Sequence, residues 1–177
     1  MITKSKTVIV FAAALAASTS VTFAGGSHGG GHGESAGIGK PGTQENASRT
    51  VEVSMTEMKY SPSKIEVKQG ETITFVVSND GRMVHEFNLG THDMWNGHSH
   101  EMRSMMQKGM MTTRKLFHDK MKSAGMMHDD PNSVLLEPGE TAEITWTFSE
   151  DSEMGFACNV PGHREAGMVG EVRFGGG

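Results

Sequence analysis

From Thr50 onward the chain alternates apolar and polar positions with a period of two. Val51, Val53 and Met55 are followed by Ile65 and Val67, and then by Ile73, Phe75 and Val77. Gln69-Gly70 and Asn79-Asp80-Gly81 break the pattern as turns, and Val84-His85-Glu86-Phe87-Asn88-Leu89 resumes it. The same period returns after residue 130, first in Val134 and Leu136. Beyond the turn Glu137-Pro138-Gly139-Glu140 it continues through Ile144, Trp146 and Phe148, then Met154, Phe156 and Cys158, and closes with Val169, Val172 and Phe174. Short alternating segments separated by Gly and Pro predict half-buried strands, and a series of them predicts an all-β fold, an antiparallel sandwich.

The stretch Thr91 to Asp130 has a different character. Nine of its residues are Met (94, 102, 105, 106, 110, 111, 121, 126, 127) and five are His (92, 98, 100, 118, 128). Good helix formers run from Glu101 to Met111 and from Thr113 to Ala124, so one or two short helices are expected, with Gly109 and Gly125 as their stops. A structureless connection of this length is uncommon in a compact domain and is usually functional or disordered, which sets 91–130 apart as an insert.

Ahead of the strands lie two further segments. Lys4 and Lys6 precede the apolar run Val8 to Ala17, and Thr22-Phe23-Ala24 sets small residues at the positions a signal peptidase reads, so residues 1–24 are expected to be an export signal. The apolar run is too short to span the ~30 Å of a bilayer core. Residues 25–49 are rich in glycine, contain His28 and His32, and are expected to form a flexible tether; residues 50–177 then make up the folded domain with its insert. These features predict a soluble periplasmic protein, a monomer without membrane insertion.

Composition narrows the chemistry. The chain has 177 residues and a net charge of −5, falling to −7 once Lys4 and Lys6 are removed, so nothing suggests nucleic-acid binding. A single cysteine excludes an internal disulfide, while 15 Met and 9 His supply soft and borderline metal ligands in excess.

The most specific signal is Cys158-Asn-Val-Pro-Gly-His163-Arg-Glu-Ala-Gly-Met168. Thiol, imidazole and thioether share one tight loop between strands, where Pro161-Gly162 turns the chain back and Ala166-Gly167 leaves little bulk beside Met168. His85, at a strand end far upstream, is the fourth candidate. Two His and one Cys in a plane, with a distant axial Met, form the ligand set of a blue-copper electron-transfer site. A free cysteine also serves as a small buried hydrophobe, and zinc accepts a His2Cys set; the thioether and the order of divalent affinities favour copper.

On these residues the chain resembles the cupredoxins over about 50–90 and 132–174, and most closely the periplasmic copper-tolerance cupredoxins. The further points of likeness are the Gly/His-rich start, Val84-His85-Glu86, the Met/His-rich insert after Leu89-Gly90, and His128-Asp129-Asp130-Pro131-Asn132. The resemblance implies a Greek-key sandwich with copper near one end and His163 as the ligand nearest solvent. One departure is Glu86, where many electron carriers have an Asn that bonds across to the cysteine loop; a carboxylate is expected to change that contact.

In the insert, Met102, Met106 and Met110 recur at helical spacing with Met105 beside them, and Met111, Met126 and Met127 add thioethers. His98 with His100, His92 with Met94, and His118 with Met121 form short candidate chelates, and His128 closes the segment. Additional Cu(I) or Cu(II) binding and packing of a Met stripe against the sandwich both fit this pattern. Two functions follow: copper tolerance through a redox-active centre with extra copper in the insert, or diffusible electron transfer to a redox partner protein. Catalysis is not expected. Cys158 lies between Ala157 and Asn159, without the adjacent His ligands that wire a blue centre to a catalytic copper.

Overall fold

The computed structural model describes residues 37–149 and 152–175. The expected signal at 1–24 lies outside the described residues, as do His28 and His32. Ten strands run in the order β1 (Lys40–Pro41), β2 (Arg49–Thr56), β3 (Lys59–Ser61), β4 (Lys64–Val67), β5 (Thr72–Asn79), β6 (His85–Gly90), β7 (Ser133–Leu136), β8 (Thr141–Thr147), β9 (Gly155–Ala157) and β10 (Val169–Phe174). Helices α1 (His92–Gln107) and α2 (His118–Ser123) stand between β6 and β7.

The strands form two five-stranded sheets, ordered β1-β8-β5-β2-β3 and β4-β10-β9-β6-β7. The core between them takes the alternating residues expected to face inward: Val53, Met55, Ile73, Phe75, Val77, Ile144 and Trp146 from the first sheet, and Ile65, Val67, Phe87, Leu89, Leu136 and Phe156 from the second. Tyr60, Phe87 and Phe156 meet at angles that set ring edges against ring faces or tilt them, the arrangement aromatic quadrupoles favour.

The sandwich is not purely antiparallel. β2 pairs in parallel with β5, and β4 with β10. After β2 and β3 the chain crosses to the other sheet as β4 before returning as β5, so β5 re-enters in the same direction as β2. Period-two patterning reveals which side chains face inward but says nothing about strand direction.

Part of the expected tether is folded. Ile38 is fully buried and its carbonyl accepts the Trp146 indole N–H at 3.0 Å, while β1 pairs with β8. Among the glycines, one large aliphatic side chain supplies the burial that holds this stretch in place.

The insert is helical over different bounds from those expected. α1 starts nine residues before Glu101, because the Thr91 hydroxyl accepts the Met94 amide hydrogen and caps its N-terminus. It ends at Gln107, and Gly109 follows at φ 65°, with Gly125 at φ 63° after α2; both take the left-handed conformation that ends helices. Trp95 and His98 of the helix lie against Asn88, Gly90 and Glu86 of β6, and all six residues of that strand are buried.

Candidate metal centre

β6 positions two sets of ligands, because adjacent residues of a strand face opposite sides. His85 opens the strand. Before it, the fully buried Asn79 side chain donates to the carbonyls of Met83 and Leu136 and accepts the Gly81 amide, which fixes the turn that delivers His85. Across the sheet, the loop from Cys158 to Met168 closes on itself: the Cys158 amide donates to the Met168 carbonyl at 3.1 Å and the Met168 amide to the His163 carbonyl at 3.0 Å. Gly162 and Gly167 adopt φ 91° and 94°, so the tight turn expected at Pro161-Gly162 is present.

This brings His85 and Cys158, 73 residues apart in sequence, to one end of the sandwich with His163. The Nδ1 atoms of His85 and His163 lie 3.2 Å apart, and Cys158 Sγ lies 3.3 Å from His163 Nδ1 and 4.0 Å from His85 Nδ1. A metal bound in the plane of two nitrogens and a sulfur, at the ~2.0 and ~2.3 Å bond lengths such ligands favour, separates the nitrogens by about 3.5 Å and each nitrogen from sulfur by about 3.8 Å. The donor set fits such an ion with shifts of a few tenths of an ångström. Met168 is fully buried next to Cys158 along the backbone ladder. His163, 4% exposed, is the one of the four with any solvent exposure, in line with its expected place as the ligand nearest solvent.

The electrostatics suit metal capture. Burial, reinforced by the neighbouring His163, holds His85 down at about 4, and burial lowers His163 too, so both imidazoles are neutral at neutral pH, the form that can bind a metal. Burial and then the Glu86 charge push the Cys158 thiol well above its ordinary value, so a metal held there would have to displace its proton. The Glu86 amide donates to Cys158 Sγ at 3.3 Å.

The Glu86 side chain lies on the other face of β6, fully buried. One oxygen accepts from both the Asn159 amide and side chain, at 2.9 and 3.0 Å, so the carboxylate itself reaches the cysteine loop. The other accepts from Ser133 at 2.8 Å and faces Nε2 of His98 at 2.8 Å and of His128 at 3.0 Å. Burial alone would raise this carboxyl; hydrogen bonds and charge from His128 and His98 hold it well below the usual range. Burial likewise opposes charge on His98, yet Glu86, aided by Asp130 and Glu101, raises it to about 9. The sequence reading named both histidines but missed Glu86 as their partner. The available signal was a carboxylate inside an apolar strand, since a buried charge needs partners.

The other insert candidates scatter. Met102, Met105, Met110, Met111 and Met121 are buried in the core cluster, with Met106 and Met126 packed against it. Met94 and Met127 are exposed, as are His92, His100 and His118. The short chelates do not form: His98 turns to Glu86, whereas His100 meets Arg103, His92 stacks on Trp95, and α2 buries Met121 but leaves His118 in solvent. Residues two apart on a helix do not share a face. Among the described residues, no helix is long and apolar enough to cross a membrane.

Comparison with known proteins agrees with this geometry. Residues 47–175 match the plastocyanin/azurin family of copper binding proteins. The chain is 46% identical to the copper-resistant cuproprotein CopI of Pseudomonas aeruginosa over 152 residues, 80% of this chain and 83% of that protein. It is 40% identical to the CopI of Rubrivivax gelatinosus, covering 90% of each. Among solved structures, the reduced auracyanin of Roseiflexus castenholzii aligns with a TM-score of 0.54 at 21% identity, over 73% of this chain and 99% of that one. An azurin of Methylomonas sp. strain J aligns with a TM-score of 0.52 at 18% identity, over 73% and 100%; both likenesses concern the fold. The chain belongs to the plastocyanin/azurin family of copper binding proteins, is related to the CopI cuproproteins, and has copper as its cofactor.

Proposed function

We propose that this protein is exported to the periplasm, holds one redox-active copper through His85, Cys158, His163 and Met168, and contributes to copper tolerance. The observation that carries the reading is the approach of one thiol and two neutral imidazoles to within 3.2–4.0 Å at a buried sandwich end. The bound copper would supply one-electron exchange. The chain's part is to hold the donors in a fixed arrangement suited to both oxidation states, which keeps reorganisation small. Cys158 gives up its proton on binding, the Glu86 amide hydrogen bond steadies its sulfur, and the surrounding core excludes water. Copper-resistant relatives support the tolerance role, as does the surplus of soft ligands that an electron-transfer site alone does not need.

Further copper binding is assigned to single exposed donors, Met94, Met127, His92, His100 and His118, and not to the paired chelates, while the buried methionines hold the insert to the sandwich. The test combines optical and EPR spectra of the copper-loaded mature protein with the copper sensitivity of a deletion strain. A blue or green charge-transfer band and a sensitive strain are expected. An unaffected strain, with rapid electron exchange with a membrane complex, would instead identify a diffusible electron carrier.

A further inference from the structure

Glu86, His98 and His128 converge from three separate parts of the chain: β6, the middle of α1 and the segment after α2. Glu86 Oε1 lies 2.8 Å from His98 Nε2 and 3.0 Å from His128 Nε2, and the two Nε2 atoms are 2.9 Å apart. Three donor atoms aimed at one point are poorly satisfied by hydrogen bonds alone. If both imidazoles donate to the carboxylate, their own N–H groups oppose each other across 2.9 Å; if one accepts, it gives up its bond to the carboxylate.

One outer contact supports a ligand role: the Nδ1 atom of His98 lies 3.3 Å from Glu101. That of His128 is buried without a hydrogen bond, with Asp130 3.9 Å away. A carboxylate at the far nitrogen of an imidazole is the arrangement that orients metal-binding histidines and raises their basicity. Separating the three donor atoms to the roughly 3.3 Å of a tetrahedral ion with ~2.0 Å bonds needs movements of about half an ångström or less. An approach exists as well: a cleft of about 360 Å³ reaches His98 and is lined by Asp93, Met94, Glu101 and Asp130.

We propose that Glu86, His98 and His128 form a second metal centre, a site for a divalent cation with two imidazoles, one carboxylate and an open position. The hard carboxylate favours a divalent ion over Cu(I), and the affinity order favours Cu(II) over Zn(II). This centre shares Glu86 with the surroundings of the first: the backbone amide of Glu86 bonds Cys158 Sγ, and its second oxygen holds Asn159. An ion drawing on Oε1 therefore perturbs the cysteine environment and shifts the charge-transfer band of copper at the first site, a linkage that rests on the reading above.

The experiment uses the full mature chain carrying one Cu(II) at the first site, titrated calorimetrically with Zn(II), a spectroscopically silent probe, while the absorption band is followed. One tight equivalent of Zn(II) and a shift of the band are expected. Equimolar Cu(II) then displaces the zinc and adds a second EPR signal. The variant with His98→Ala and His128→Ala loses the tight equivalent, and Glu101→Gln, which leaves the ligands in place, weakens it about 10- to 100-fold. Absence of a tight equivalent in the wild type, or its full retention in the double variant, overturns the site. Zinc that resists equimolar Cu(II) overturns the copper preference. The charge-transfer band in each sample reports the first site separately: its presence with no zinc bound sinks only this centre, and its absence with zinc bound sinks only the reading of the first. If the double variant fails to fold, unchanged affinity in Glu101→Gln is the refuting result.

Discussion

Replacing Glu86 with Ala tests the view that one carboxylate ties three parts of the molecule together. The side chain is fully buried and its oxygens face the Asn159 amide and side chain, Ser133, His98 and His128 at 2.8–3.0 Å. Alanine leaves all of these groups without their carboxylate partner. Breaking a buried ion pair from one side costs about 3–5 kcal/mol. Each stranded donor costs about 1–3 kcal/mol when it finds no other partner, so local relaxation must recover part of the sum. A net loss of about 4 kcal/mol is expected, a large part of the ~5–15 kcal/mol that holds a typical domain folded. With a urea dependence of about 2 kcal/mol per molar, the unfolding midpoint of the metal-free protein falls by about 2 M, followed through Trp146 and Trp95 fluorescence. Glu86→Gln keeps an acceptor for Asn159 and the shape of the side chain, so its midpoint falls by less than half as much. A Glu86→Ala midpoint within about 0.3 M of wild type, with unchanged slope, would refute the argument, since the buried partners would then need no carboxylate.

Three other predictions concern the first site, the insert and a turn. Cys158→Ser removes the intense charge-transfer absorption, whereas Met168→Leu keeps copper and raises its potential, as read by visible spectra and voltammetry; a persistent band in the serine variant would place the chromophore elsewhere. Met102→Ala, at a fully buried position, costs about 2–5 kcal/mol. Met94→Ala, at 36% exposure, stays within about 0.5 kcal/mol, and equal losses in urea unfolding would contradict the packing role of the insert. Glu71 is opposed by burial but held below its ordinary value of 4.5 by Arg49, the Lys68 amide and Ser48. Its folded pKa is the lower one, so its contribution is complete above 4.5 and disappears as pH falls through the folded value. Glu71→Gln accordingly costs up to about 1 kcal/mol at pH 7 and progressively less as pH falls below 4.5, measured as the difference in urea midpoints.

Much of this architecture was legible in the sequence because it is written in local patterns. Val53, Phe75 and Ile144 declare their faces by alternation, and Cys158, His163 and Met168 share a loop whose Pro161-Gly162 turn must fold back. What escaped depends on contacts between distant residues. Ile38 looks like part of a glycine tether until Trp146 offers its carbonyl an indole N–H and its side chain a surface. α1 was misplaced because Gly97 and the polar histidines lower helix propensity, while the Thr91 cap and burial of Trp95 and Met102 outweigh that cost. Glu86 was visible as a departure, yet its partners sit 12, 42 and 73 positions away, and no periodicity links them.

The alternation that made the strands readable also accounts for the arrangement of the candidate centres. Neighbouring residues of β6 face opposite sides, so His85 turns to the thiol and imidazole of the sandwich end while Glu86 turns to two histidines of the insert. The two candidate ligands thus lie a single peptide unit apart, and that unit carries the amide that bonds Cys158 Sγ. An asparagine at position 86 is too short to span from Asn159 to His98 and His128 together; the longer carboxylate does so. Coupling between the insert and the buried thiol therefore needs no moving domain. It requires only that β6 stay rigid, and its ladder to β7 and β9, with Tyr60 donating to the Glu86 carbonyl at 2.6 Å, supplies that rigidity.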